Sequence, residues 1–139
     1  MLANSLNTNE IKNAAGTEVE FSRLSSSERS TVFAQISESP AAPHRLSIKH
    51  TEVGEGLAKR RRSVLRFDKT SVGQSDTTKP ITNSVYVVCD IPIGNMTAYT
   101  EATNVLAELM SLCATTGAGT TVLFDCSGLG ATALINGTL

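Results

Sequence analysis

Positive charge is missing from a large part of this chain. All 12 Lys and Arg of the 139 residues stand at or before Lys79, and the 60 residues beyond it contain none, nor any His. Long apolar runs are also missing. No stretch approaches the ~20 residues a membrane-spanning helix needs, and no apolar block follows a basic start, so neither a membrane span nor a signal peptide is expected. Cysteine is scarce: Cys89, Cys113 and Cys126 have no CxxC spacing and no nearby histidine, which argues against a zinc site. An odd count fits reduced thiols in a cytosolic protein, with an intermolecular disulfide as the alternative. Aromatics make up only 4% of the residues, yet the 40% apolar content suffices for one domain over residues 1–139.

Catalytic signatures are absent as well. There is no G-x-S-x-G turn, no P-loop and no HExxH. Gly117-Ala118-Gly119 and Gly128-Leu129-Gly130 lack the strand-to-helix setting of a dinucleotide loop. Asp125-Cys126-Ser127 offers nucleophilic side chains without a base in view. His44 and His50 fall on the apolar side of one strand and read as structural or rim residues. No catalytic residue, cofactor or metal ligand is therefore assigned.

What is present is a sorted pattern of cations. Arg45-Leu46-Ser47-Ile48-Lys49-His50-Thr51 alternates, as does Arg62-Ser63-Val64-Leu65-Arg66-Phe67-Asp68. Side chains of a pleated strand point alternately to its two faces. Leu46, Ile48, Leu65 and Phe67 thus share an apolar side, whereas Arg45, Ser47, Lys49, Thr51, Arg62, Val64, Arg66 and Asp68 share a polar one. Val53-Gly54-Glu55-Gly56 supplies a turn, so the two strands should pair antiparallel. Their cations would then form a flat stripe suited to a polyanion, although the net charge is only -1. For Lys59-Arg60-Arg61-Arg62 alone, a solvated strand end or a localisation signal is the competing explanation.

Further strands are expected at Glu18–Leu24 and Thr31–Ser37, separated by a turn or loop at Ser25-Ser26-Ser27. Residues 1–17 read as a loose arm or an edge hairpin. Lys69–Asn83 reads as a long exposed loop. Ser84–Ile93 is the most apolar strand, with Val85, Val87, Cys89 and Ile91 on one side and Ser84, Tyr86, Val88 and Asp90 on the other. From Thr97 to Ala114 the period changes: Tyr99, Ala102, Leu106, Leu109 and Cys113 recur every three or four residues, as on an amphipathic helix. Thr97 is its expected cap, Glu101 suits the dipole's positive end, and Gly117 is the expected stop. A second element at Thr120–Cys126 fits a short helix or a strand, and an uncharged small-residue tail follows it. Strands first and helices last make the class α+β with an antiparallel sheet. The apolar sheet face is larger than such C-terminal elements can cover, and domain exchange between two chains would bury it.

In order and spacing these features resemble the coat proteins of single-stranded RNA bacteriophages. The match rests on Cys89-Asp90-Ile91-Pro92-Ile93 before the first helix, on the two basic alternating strands, on the Gly54–Gly56 turn and on the segment Lys69–Asn83. It spans nearly the whole chain. The resemblance implies an N-terminal hairpin, an antiparallel sheet and two C-terminal helices that clasp the sheet of a partner subunit. It further implies an intertwined homodimer, assembly into an icosahedral shell and a virion location after assembly in the bacterial host cytoplasm. Carried over by position, the surface facing a stem-loop of genomic RNA is Arg45, Ser47, Lys49, Thr51, Arg62, Val64, Arg66, Asp68, Ser84, Tyr86, Val88 and Asp90. Lys and Arg would contact phosphates, while Ser47 and Thr51 would hydrogen-bond an unpaired base and Tyr86 would stack on one. Ordinary strand roles for Ser47, Thr51 and Tyr86 compete with these. Translational repression through the hairpin is a further implication. The alternative is a small dimeric RNA-binding regulator that forms no shell.

Overall fold

A computed structural model of the chain describes residues 2–115 and 123–138. They fall into two compact units, one formed by the residues up to Ile11 together with Val19–Met96, the other by Lys12–Glu18 and the residues from Thr97 onward.

The first unit is a six-stranded antiparallel meander: β1 (Ser5–Leu6), β2 (Phe21–Ser27), β3 (Ser30–Gln35), β4 (His44–Val53), β5 (Arg60–Val72) and β6 (Pro80–Ile91) pair in chain order. Its core is a small cluster of Leu6, Phe21, Phe33 and Leu46, with Ile11, Val19, Ile48 and Phe67 packed against it. Phe21 and Phe33 are wholly buried, and burial of such a side chain contributes roughly 1.5–3 kcal/mol. The Phe21 ring meets His44 and Phe67 edge-on, with centroids 5.0 and 5.9 Å away. His44 Nδ1 lies 2.9 Å from Gln35 Oε1. Burial, aided by the charge of Lys69, pushes the His44 pKa down. That is a structural histidine on the apolar side, as its position in the alternation requires.

Several elements lie elsewhere than the sequence pattern suggests. Ser25, Ser26 and Ser27 are part of β2 and not a turn; Ser26 Oγ lies 3.2 Å from Thr31 Oγ1 and the Ser27 hydroxyl donates to the Ser30 carbonyl at 3.3 Å. A register shift between Arg23 and Ser25 leaves Leu24 exposed. The expected loop at Lys69–Asn83 is mostly strand. Lys69, Thr70, Ser71 and Val72 pair with Asn83, Thr82, Ile81 and Pro80. Polar composition suggested a loop, but strand pairing meets backbone hydrogen-bonding needs whatever the side chains. The connection is confined to residues 73–79, where the Gly73 amide donates to the Lys79 carbonyl at 3.0 Å and Thr78 N–H to Asp76 Oδ1 at 3.0 Å.

Gly54 closes the β4–β5 turn at φ +82°, a left-handed conformation suited to glycine. Pro92 follows β6, and a 3-10 turn at Ile93–Asn95 comes next. There the Gly94 amide donates to the Lys59 carbonyl at 2.8 Å. A Cβ on Gly94 would lie 2.1 Å from the Gly56 carbonyl oxygen, so this close approach requires glycine.

The second unit contains α1 (Thr100–Ala114) and α2 (Leu129–Asn136). Tyr99, and not Thr97, holds the cap position of α1, with no side-chain cap bond; Glu101 does lie in the first turn. Gly117 and the residues 120–122 of the expected second element lie outside the described residues, while Leu123–Cys126 is not helical. The second helix instead occupies the segment that read as a tail. Small residues explain this. A Cβ on Gly128 would lie 2.4 Å from the Leu112 carbonyl oxygen and one on Gly130 2.6 Å from Leu112 Cγ, so these glycines let α2 start hard against α1. Ala114 and Ala131 are buried, whereas Val105, Leu112, Leu129, Leu134 and Ile135 are exposed. Lys12 bridges Glu18 at a short hairpin in this unit, and Asn13 Oδ1 accepts from the Ala15 and Thr17 amides, each at 3.0 Å.

Candidate nucleic-acid interface

Strand register brings all twelve expected interface residues onto one face. Arg45 lies opposite Asp68 and then Ser84; Ser47 opposite Arg66 and then Tyr86; Lys49 opposite Val64 and then Val88; Thr51 opposite Arg62 and then Asp90. The result is a grid four rows long across β4, β5 and β6. Cross-strand neighbours in such a grid lie ~5 Å apart, which suits it to an extended ligand. Tyr86 is 61% exposed in its middle. The face also extends further than the sequence reading placed it. Ser30, Val32 and Ala34 of β3 pair with Lys49, Ser47 and Arg45. Thr70 and Thr82 continue the grid at the far end, their hydroxyls 2.8 Å apart. The alternation of Val32 and Ala34 was a usable signal for β3; Thr70 and Thr82 were missed with their strand segments.

Side-chain pairing divides the cations of this face. Arg66 Nε and Nη2 donate to Asp68 Oδ1 at 2.9 and 2.8 Å, and Nη2 also reaches Ser84 Oγ at 3.3 Å. The Ser84 hydroxyl donates to the same carboxylate oxygen. The Arg66 guanidinium, helped by Ser84, holds the Asp68 carboxyl below its usual pKa, and Asp68 raises that of Arg66. Arg45 is ion-paired with Glu38. Arg60 Nε donates to Asp90 Oδ1 at 2.9 Å. Among the described residues only Lys49 and Arg62 of the face's cations have no side-chain partner, so its unneutralised charge lies near the β4–β5 turn.

The basic run Lys59-Arg60-Arg61-Arg62 is correspondingly less available than its sequence suggests. Glu52 Oε2 accepts from Lys59 Nζ at 2.7 Å, and Glu52 Oε1 meets Arg61 Nη2 at 3.1 Å and Arg29 Nη1 at 3.2 Å. These three cations pull the Glu52 pKa down to about 2. Glu52 and Arg61 pair on the opposite side of the sheet from Thr51 and Arg62. Among the described residues only Arg62 of the four is both unpaired and on the gridded face.

On the other face, the expected apolar set Leu46, Ile48, Leu65, Phe67, Val85 and Val87 does share a side. Its β2–β4 part is closed by Leu6, Ile11 and Val19. Towards β6 it is open: Leu65 is 39% and Val85 68% exposed. Among the described residues β6 is an edge strand, twelve residues long and hydrogen-bonded on one side only. Cys89 and Cys113 are half-buried, Cys126 is exposed, and none of the three is disulfide-bonded.

A sheet gridded on one face, left open at β6 and followed by two helices can be compared with solved structures. The coat protein of bacteriophage EMS014 superposes with a TM-score of 0.69 over 100% of this chain and 99% of that one, at 10% identity. The bacteriophage GA capsid protein matches with a TM-score of 0.56 over 98% of this chain and 95% of that one, at 14% identity. This chain has the coat-protein fold. The virus-like particle of Beihai levi-like virus 32 matches it over 68% of this chain and 75% of that one, at 19% identity and a TM-score of 0.56. No protein-family model and no curated protein sequence matches the chain. At such identities the agreement lies in the path of the backbone and the order of elements.

Proposed function

We propose that this chain, as a single domain, is the coat protein of a single-stranded RNA bacteriophage. In this reading it forms a homodimer, builds an icosahedral shell in the bacterial cytoplasm, and binds a stem-loop of the genomic RNA on the β4–β6 grid, repressing translation of that RNA. The single observation that carries the shell role is the coat-protein fold, matched end to end by the EMS014 protein.

The open parts of the molecule support dimerisation. A long strand with an unpaired edge is a template for another chain. β6 is such a strand. Beside it lie exposed Leu65, Ile81 and Val85, and α1 and α2 carry exposed Val105, Leu112, Leu134 and Ile135. Pairing β6 with the β6 of a second copy, while the helices of each chain cover the partner's apolar face, would satisfy both at once. The opposite face would then present two grids side by side, doubling the unpaired Lys49 and Arg62 charges.

The deciding experiment is expression in bacteria followed by sedimentation, electron microscopy and extraction of nuclease-protected RNA. Closed particles containing RNA are expected. A dimer that binds RNA but never sediments as a particle would replace the shell reading with that of a small RNA-binding regulator. A well-folded monomer would overturn both.

A further inference from the structure

The cations of the gridded face are not equivalent, and the difference assigns them separate tasks. Lys49 and Arg62 are exposed and, among the described residues, have no side-chain partner. Arg66 stands in the row between Ser47 and Tyr86 and is tied to Asp68 and Ser84. A guanidinium has five N–H donors. Asp68 takes Nε–H and one on Nη2, and Ser84 lies within reach of Nη2, which leaves the Nη1 pair with no protein partner among the described residues.

We propose that Arg66, locked by Asp68 and Ser84, reads the acceptor edge of an unpaired RNA base stacked beside Tyr86, and is not a phosphate contact. This rests on the RNA-binding reading above and sharpens it. The attraction of Arg66 for a phosphate is offset by the Asp68 carboxylate, whose oxygen lies 2.8 Å from Nη2. Neutralising a phosphate with an already neutralised cation releases little counterion. A clamped guanidinium is, on the other hand, a good directional donor, because its plane is set before the ligand arrives. Single-stranded RNA is read by stacking bases on aromatic rings and hydrogen-bonding their edges. Tyr86 is the cross-strand neighbour of Arg66 and is exposed, and Ser47 on the other side adds a hydroxyl. The end-on fork, one Nη1 N–H beside the Nη2 N–H whose contact to Ser84 Oγ is long at 3.3 Å, suits a base that presents two acceptors on one edge, as guanine does with O6 and N7.

The test uses the full-length assembled protein and a hairpin library with a fixed stem and a randomised loop. Wild type is expected to enrich guanine at one loop position. Arg66→Ala and the conservative Arg66→Lys should each cut that enrichment by about tenfold or more, and the double variant Arg66→Ala/Asp68→Asn, which removes the ion pair without changing the net charge, should leave the salt dependence of binding unchanged. Lys49→Ala and Arg62→Ala should do the reverse, each flattening the salt slope by about one unit and keeping the guanine. Asp68→Asn should steepen the slope by about one unit and weaken the preference, because it frees the charge and loosens the clamp. Retained enrichment in Arg66→Lys, a slope flattened by about one unit in Arg66→Ala/Asp68→Asn, or a wild type that binds the library without preferring a base overturns the proposal while leaving RNA binding standing. Binding that is absent, or indifferent to Lys49→Ala and Arg62→Ala, overturns the RNA reading of the face and this proposal with it.

Discussion

The two ends of the sheet are built on different terms. Between β1 and β4 the chain completes its own core: Phe21 and Phe33 are fully buried and Leu46 is 3% exposed, under a cover of Leu6, Ile11 and Val19. At β6 nothing comparable happens. Val85 lies on the same apolar side yet is 68% exposed, and the outer edge of the strand is unpaired among the described residues. Hydrophobic stabilisation scales with apolar area removed from water, so the first end draws its stabilisation from within the chain. The second would gain as much only from a partner. In the proposed dimer that open half of the apolar face would be the association surface.

Substitutions at the two ends should separate these roles. The largest effect is expected for Phe33→Ala, which empties a fully buried site and should cost about 3–5 kcal/mol, read as loss of soluble protein or a lowered urea midpoint. Val85→Asp should act on association: the particle or dimer should be lost in sedimentation while the β1–β4 core stays folded by circular dichroism. If Val85→Asp assembles normally, the β6 end is not an association surface. If Phe33→Ala is as stable as wild type, the contrast between the two ends fails altogether.

The smallest effect concerns Glu52, which joins Arg29, Lys59 and Arg61 near the β4–β5 turn. Its carboxyl has a folded-state pKa of about 2, below the ordinary 4.5. A depressed acid pKa contributes stability that is fully present above 4.5 and is lost as pH falls through about 2. Wild type should therefore lose this contribution across that acid window, and Glu52→Gln should show a flatter profile there at lower stability in neutral solution. The shift is expected to be small because exposed ion pairs are screened by solvent. Identical acid profiles for the two proteins would show that the three cations gain nothing from the carboxylate.

Much of the candidate interface was legible in the chain itself. Two-residue alternation sorted Arg45, Ser47, Lys49, Thr51, Arg62, Val64, Arg66 and Asp68 from Leu46, Ile48, Leu65 and Phe67, and the register joins the first set into one face with Ser84, Tyr86, Val88 and Asp90. Glycines at the β4–β5 turn and the three-to-four spacing of α1 were equally readable, because both signals are local. The strand pieces around Thr70 and Thr82 were not, since polar residues become strand there only through pairing with each other. Nor was α2, whose position follows from the close approach that Gly128 and Gly130 permit to Leu112.

Charge shows the division most clearly. Composition determined that every Lys and Arg lies at or before Lys79, and alternation determined which of those cations share a face, because the pleat is a property of each strand alone. Which of them remain available was decided only by tertiary structure. Arg66 is neutralised by a carboxylate two residues along its own strand and Arg61 by one on the neighbouring strand, while Arg62 between them is left unpaired. That outcome depends on register and side-chain reach across strands, and pair energies fall off over a few ångströms, a scale that the order of residues does not carry.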